Sequence, residues 1–348
     1  MSLNSKERVR IAISHEEPDR VPIFAGFVPT VQKRLEAKYG KHEDDIGLLL
    51  GNDLIKTVVG IETSNNASDE PEYTCKWGVT FRNLKNAVDQ YTEVIRHPLA
   101  DDESKLNSYQ IPDPLEESQY DYMRKVVSKY GKEKWVIGSC QQSIFEASWY
   151  LRGLENLLVD MALNEDFVCA LMDKVMQFPL QAGKKMIELG VDMIWLGDDV
   201  STQRGMMISL EMWRKYLKPR YAQLISEFKK VKKDIIIAYH CCGNGQAIFH
   251  DMIDIGLDVI HALQPLCMDP VEIKKEYGEK LTLFGGVDIQ RLMPLGTPRE
   301  IFKEAERLIK GCGKGGGYIY SPAHYIQADT SLENIEAFYE AGRKYGPY

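Results

Sequence analysis

Short apolar runs alternate with longer amphipathic stretches along most of this chain. Runs of roughly four to eight apolar residues, closed by Gly, Pro or a polar cluster, read as buried strands. Stretches with apolar residues three and four apart read as helices. The pattern predicts eight strands, at 21–25, 54–58, 135–140, 193–197, 235–240, 259–262, 281–285 and 318–321. It predicts helices at 153–163, 166–189, 210–229, 297–309 and 332–345, with Thr297 and Pro298 as N-cap and first-turn residue of the fourth. Strands alternating with helices give a parallel sheet under helical cover, and eight such units favour a closed α/β (β/α)8 barrel over an open sheet. Residues 1–348 are read as one barrel.

The rhythm breaks at 60–130. There EYTCKWGVTFRN and QYTEVIRHPL resemble two antiparallel strands, and DPLEESQYDYMRKVVSKY returns as a helix. The segment reads as an insertion between the second and third strands that carries a hairpin: a lid or partner surface, or a packing elaboration.

Composition narrows the function. At 348 residues, with 44% hydrophobic and 27% charged, the chain can build a sizeable core. A net charge of -8 argues against a broad nucleic-acid footprint. The N-terminal stretch has no apolar signal core, and no apolar run approaches the roughly 18 residues of a membrane helix, so the expectation is a cytoplasmic protein with no membrane partner. The seven cysteines are an odd, scattered set that suggests no disulfide framework. Cys267 and Cys312 read as structural. There is no P-loop, no GxSxG elbow and no strand–GxGxxG–helix unit; GCGKGGG at 311–317 precedes a strand and reads as a turn.

Barrel strands deliver their C-terminal residues to one pocket. On the fifth strand, DIIIAYHCCGNG, alternation puts His240 and Cys242 on one face and Cys241 on the other. Either this is a buried His with two small thiols, or His240 and Cys242 share a metal; Zn²⁺ suits nitrogen with thiolate. A third ligand would come from another strand end. His324, directly after the eighth strand, is the first choice and His261 the second; His324 otherwise caps a loop or binds an anionic substrate. The fourth strand ends in Asp198 and Asp199, of which only one can face the pocket. That one binds metal, orients a ligand or works as acid or base; the other reading is an N-cap. Gln141, Gln142, Glu146, Gln203, Gln264 and Asp288 complete the candidates for a polar rim that binds substrate.

These residues carry a resemblance. HEEPDRVPIF, WYLRGLENLLVDMALNEDF, FGGVD and PAHYIQADTSLENIEAFYEAG resemble the uroporphyrinogen decarboxylase superfamily along almost the whole chain. True decarboxylases of that family carry an Arg-rich RQAGRY-type motif, and FAGFVPTVQKRLEAKYG lacks it. The other branch holds corrinoid-linked methyltransferases of the methylcobalamin:coenzyme M type, whose zinc is held by an H-x-C motif and a Cys after the last strand. His240-Cys241-Cys242 matches the first part. His324 stands where the family Cys would be, which is a departure, although imidazole also ligates zinc. The resemblance implies zinc at His240, Cys242 and His324. It also implies methyl transfer between a small-molecule donor or acceptor and methylcobalamin or another corrinoid on a partner protein. Two alternatives stay open: a metal-free decarboxylase or lyase using Asp199 and His324, and a non-catalytic barrel. A homodimer is the oligomeric option that barrels of this type suggest.

Overall fold

The computed structural model describes residues 3–41, 44–61, 70–85 and 90–348. Its central feature is a parallel sheet of seven strands in the order β1 (Leu54–Val58), β5 (Trp135–Cys140), β6 (Met193–Gly197), β9 (Ile236–His240), β10 (Val259–Leu263), β11 (Thr282–Val287) and β12 (Tyr318–Pro322). Helices connect successive strands, including Glu165–Leu189 and Pro298–Cys312, and Leu332–Tyr345 follows the last strand. Thr297 caps Pro298–Cys312 through a reciprocal bond pair with Glu300, as a Thr followed by Glu three residues on should. The predicted helix at 210–229 is in three parts, with a wide turn at Trp213–Leu217; Pro219 lacks the amide that an uninterrupted helix needs there.

The eighth position of the barrel is built differently from its prediction. Residues 21–25 form no ladder. They run between β12 and β1, with the Tyr320 amide on the Pro22 carbonyl, the Phe24 amide on the Tyr320 carbonyl and the Asp53 amide on the Ile23 carbonyl. Pro22 has no amide to give. Side chains replace the missing ladder bonds: Asp53 accepts from the Ile23 amide, and Asn52 both accepts from and donates to Ala25, each at 2.9 Å. Asp53 also takes the Arg8 and Arg20 guanidiniums at 2.8 and 2.7 Å. The curled sheet therefore closes as an α/β barrel through a seam of side chains.

The core has two layers. Phe24, Leu54, Ile137, Met193, Trp195, Ala238, Val259, Phe284 and Ile319 pack inside the barrel. A larger apolar cluster fills the space between sheet and helices. Residues two apart along a strand thus share a fate, and the inward column of each strand ends at the barrel mouth. Outside the barrel, β2 (Glu72–Thr74), β3 (Thr80–Lys85) and β4 (Gln90–Arg96) form a three-stranded antiparallel sheet where a two-stranded hairpin is predicted. Residues 62–69 and 86–89 of the predicted insertion lie outside the described residues. A small hairpin of β7 (Ser201–Thr202) and β8 (Gly205–Met206) leans over the mouth. Among the described residues no helix is long and apolar enough to cross a membrane.

Candidate metal centre and active site

β9 ends at His240, which is registered against Gly197 of β6 and His261 of β10. A side chain at Gly197 would crowd His240: its Cβ would stand 3.0 Å from the His240 Cβ and 3.1 Å from the His240 carbonyl oxygen. Past the strand, Cys242 stays on the inward side. Cys241 turns out and is buried with its Sγ 3.3 Å from Ser201 Oγ. The chain then bends at Gly243 (φ 82°), whose missing Cβ would lie 2.5 Å from the Thr202 backbone. The GNG sequence is what lets the loop dock on the β7–β8 hairpin.

His240 Nε2 lies 3.4 Å from Cys242 Sγ. With a ring nitrogen of His324, these donor atoms all lie within 4.8 Å of one another. Tetrahedral zinc with ligand bonds of about 2.0 and 2.3 Å needs donor atoms roughly 3.3–3.7 Å apart. Two imidazoles and a thiol are thus gathered in a space slightly wider than zinc requires, and the donor set suits it. Burial holds His240 neutral, its pKa lowered to about 3, with the Lys56 charge a second cause. His324 is lowered to about 4 by burial and then by His240. The Cys242 thiol is raised, by burial first and the Asp199 charge second. His240 Nδ1 and His261 Nδ1 are 2.6 Å apart, so one proton lies between them. If His240 gives that proton, its Nε2 lone pair is free for a metal.

The two adjacent aspartates part company. Asp199 faces the cluster, its Oδ1 3.6 Å from His240 Nε2 and accepting the Cys242 amide at 2.7 Å. Its own amide donates to Glu146 Oε2 at 3.3 Å. Burial raises the Asp199 carboxyl, and raises Glu146 well above the usual carboxylate range, helped there by the charges of Asp199 and Asp198. Asp198 faces the helix layer and is fully buried. Its carboxylate accepts the amides of Ile144, Phe145 and Glu146, the last two at 2.6 and 2.9 Å, and the Tyr221 hydroxyl. It caps the helix Phe145–Arg152 and has no acceptor left for a substrate; burial raises it to about 6, and these bonds oppose the rise.

The other predicted residues divide likewise. Gln141 lines the cavity that His240, His261 and His324 also line. Gln142, next to it, takes a left-handed backbone (φ 59°). Gln264 acts one step away, accepting the Gly243 amide and so fixing the loop of Cys242. Asp288 is spent on the amides of Gln290, Arg291 and Leu292, each at 2.9 Å, and is a turn cap. Gln203 sits exposed on the β7–β8 hairpin and bonds Gln290 at 3.0 Å. Lys56 and Trp195 were not anticipated from sequence, yet both line the cavity. The available signal was position: each stands at inward parity on its strand, Lys56 two residues after Leu54, which packs inside the barrel.

Comparison with known proteins bears on what this geometry is for. Residues 86–345 match the sequence family described as uroporphyrinogen decarboxylase (URO-D). The chain belongs to that family. Among uroporphyrinogen decarboxylase relatives it is similar, end to end, to methyltransferases. The methylcobamide:CoM methyltransferase MtbA of Methanosarcina acetivorans is 24% identical over 350 residues, 98% of each chain. The same enzyme of Methanosarcina mazei is 25% identical over 352 residues, again 98% of each. A solved methyltransferase structure from Methanosarcina mazei superposes with a TM-score of 0.74 at 18% identity, covering 99% of both chains, which shows that the barrel fold is shared.

Proposed function

We propose that this member of the uroporphyrinogen decarboxylase family is a zinc-dependent methyltransferase that moves a methyl group between a small molecule and a corrinoid carried by a partner protein. One observation carries the reading: His240, Cys242 and His324 gather two nitrogens and a sulfur within 4.8 Å at the mouth of the barrel. The full-length similarity to methylcobamide:CoM methyltransferases supports it.

His240, Cys242 and His324 hold the metal in this reading. Zinc, when bound, lowers the pKa of a coordinated thiol or makes a methylated heteroatom a better leaving group. The chain's own residues do the rest. Burial keeps both imidazoles neutral and their lone pairs available. His261 fixes the tautomer and tilt of His240. Asp199, beside His240 and the Cys242 amide, holds or passes the substrate proton at Oδ1, and Glu146 behind it keeps its carboxyl proton and supports the Asp199 backbone. Gln141 lines the substrate cavity. The corrinoid arrives on a separate cytoplasmic protein that docks over the mouth, with segment 60–130 of the single barrel as its surface.

The test is elemental analysis and turnover on the purified protein. We expect one zinc per chain, lost in His240→Ala and Cys242→Ala, and consumption of methylcobalamin with a thiol acceptor or methylation of added cob(I)alamin by a methylated donor. Absence of both metal and turnover rejects the proposal. A metal-free lyase is the second reading, favoured by Asp199 lying against two imidazoles; retention of activity after metal stripping would select it.

A further inference from the structure

Two cavities meet at the barrel mouth. The inner one is lined by His240, His261 and His324 with Gln141 and Trp195. The outer one is lined by Phe27, Gln32, Asp44, Asp45 and Tyr122. Phe24, Gly26, Lys56 and Tyr325 line both and form the wall between them. The inner cavity encloses about 20 Å³, room for about one water molecule, and the outer one about 180 Å³. An organic molecule reaches the imidazoles from this side only if the shared wall moves.

Three parts of that wall are held. Phe24 is buried inside the barrel, edge-on to Phe284 at 5.6 Å. Lys56 Nζ donates to Gln141 Oε1 at 2.9 Å. The Gly26 carbonyl accepts the Ile326 amide at 2.9 Å, and the Ile326 carbonyl accepts the Val28 amide at 3.2 Å. The Tyr325 backbone is tied down with them, its carbonyl taking the Gln327 side-chain amide at 2.8 Å. Its side chain is not. Tyr325 is half-buried, and among the described residues its hydroxyl has no hydrogen-bond partner. The ring lies flat across Gly26, where a Cβ would fall inside the ring's van der Waals surface. Its remaining neighbours touch it loosely, with the His324 ring centroid at 5.5 Å and Lys56 Nζ 5.7 Å from its own centroid. Turning this side chain to another staggered position breaks no hydrogen bond.

The metal cluster has a different, open face, because Cys242 and Asp199 are partly exposed. A partner protein seated over that face covers it, so a small molecule that exchanges while the partner stays docked needs another approach. We infer that Tyr325 is a specificity-determining side chain: its ring swings off Gly26 to join the two cavities, and the path it opens admits and sizes the small molecule. The displaced ring stays in the outer cavity, so the path is narrow and favours a slender chain over a ring. The identity of that molecule, a thiol or its methyl thioether, rests on the methyl-transfer reading; the route and the size limit do not.

The experiment has two readouts on the protein as purified. The first is acrylamide quenching of tryptophan fluorescence. Of the five tryptophans all but Trp149 are buried, and Trp195 lines the inner cavity. Wild type should show one accessible class. Tyr325→Ala, and the milder Tyr325→Leu, should add a second class that Trp195→Phe removes, which distinguishes a local opening from unfolding. Tyr325→Phe keeps the ring and should add none. Gly26→Ala should add the same class by displacing the ring, and should add nothing further to Tyr325→Ala. The second readout is ligand-observed NMR with ethyl methyl sulfide and benzyl methyl sulfide, which have no corrinoid to react with. Wild type should bind the ethyl compound tenfold or more tighter, and Tyr325→Ala should reduce that ratio at least fivefold. Quenching that stays the same in Tyr325→Ala and Tyr325→Leu overturns the inference, as does a size preference that survives Tyr325→Ala or an absence of thioether binding. Quenching needs neither zinc nor turnover, so this route and the proposed function can fail separately.

Discussion

At the scale of single residues, chemistry here is decided by which way a side chain points. Asp198 and Asp199 are the same residue type one position apart. One ends on three backbone amides and a tyrosine, the other on the amide of Cys242. Substitution should separate them. Asp198→Ala leaves four buried donors unanswered at about 1–3 kcal/mol each, so we expect a loss of at least about 4 kcal/mol in urea denaturation. Asp199→Asn keeps an acceptor for Cys242 and should leave stability within about 1 kcal/mol, while turnover falls about 10²–10⁴-fold, the range for a lost acid–base group. The reverse pattern, an inert Asp198 and a destabilising Asp199, would refute the assignment. The same reasoning explains what was legible from sequence. His240 and Cys242 could be paired because a strand repeats every two residues. Asp288 and Gln203 also follow strand ends, but whether such a residue caps its own turn or reaches inward depends on the loop's path, which no periodicity encodes. Lys56 escaped notice because a lone lysine in a strand ordinarily reads as an edge or surface position.

At the scale of elements, the seven laddered strands were readable from apolar runs alone, with ends shifted by a residue or two. Residues 21–25 read as a strand for a sound reason, being apolar and extended, yet Pro22 breaks the donor pattern and Asn52 and Asp53 supply the bonds. Side-chain repair of a ladder leaves no trace in hydrophobic pattern. It does leave a vulnerable point. Asp53 is fully buried and compensates two guanidiniums, one of them the buried Arg8, and also holds the Ile23 amide. Asp53→Asn keeps one acceptor but removes the charge facing both guanidiniums; Arg8 retains Asp19 at 2.6 and 2.7 Å, while Arg20 loses its carboxylate. We expect destabilisation of about 1–3 kcal/mol, the range for charge-assisted hydrogen bonds lost from a group that keeps other partners. Because this seam lies before β1 and the metal cluster lies past the far ends of the strands, the folded fraction should still bind one zinc. Loss of zinc from folded Asp53→Asn protein would mean that seam and mouth are more tightly coupled than their separation suggests.

At the scale of the whole molecule, two sets of buried groups oppose each other around the mouth. His240, His261 and His324 are held below their ordinary values, so in acid the unfolded chain takes up protons that the native protein refuses. That lowers stability as pH falls from about 6.5. Asp198, Asp199 and Glu146 are held above theirs, so the native protein takes up protons first and gains stability over the upper part of the same range. The slopes have opposite sign, and metal-free protein should change little in stability between about pH 6.5 and 5. Metal-loaded protein should behave differently. Zinc requires Cys242 as thiolate, and the raised thiol keeps its proton throughout this range, so each unit of acidity weakens binding about tenfold. Zinc stabilises through its affinity for the native state alone. The gap in unfolding free energy between loaded and chelator-treated protein should therefore narrow by about 1.4 kcal/mol per pH unit from pH 8 to 5. It should not steepen at 6.5, because His240 and His324 stay neutral until about pH 4. Paired urea titrations with and without chelator read this directly. A gap that does not change with pH would exclude a thiolate ligand, and a break at 6.5 would mean that the imidazoles titrate as they do in free solution.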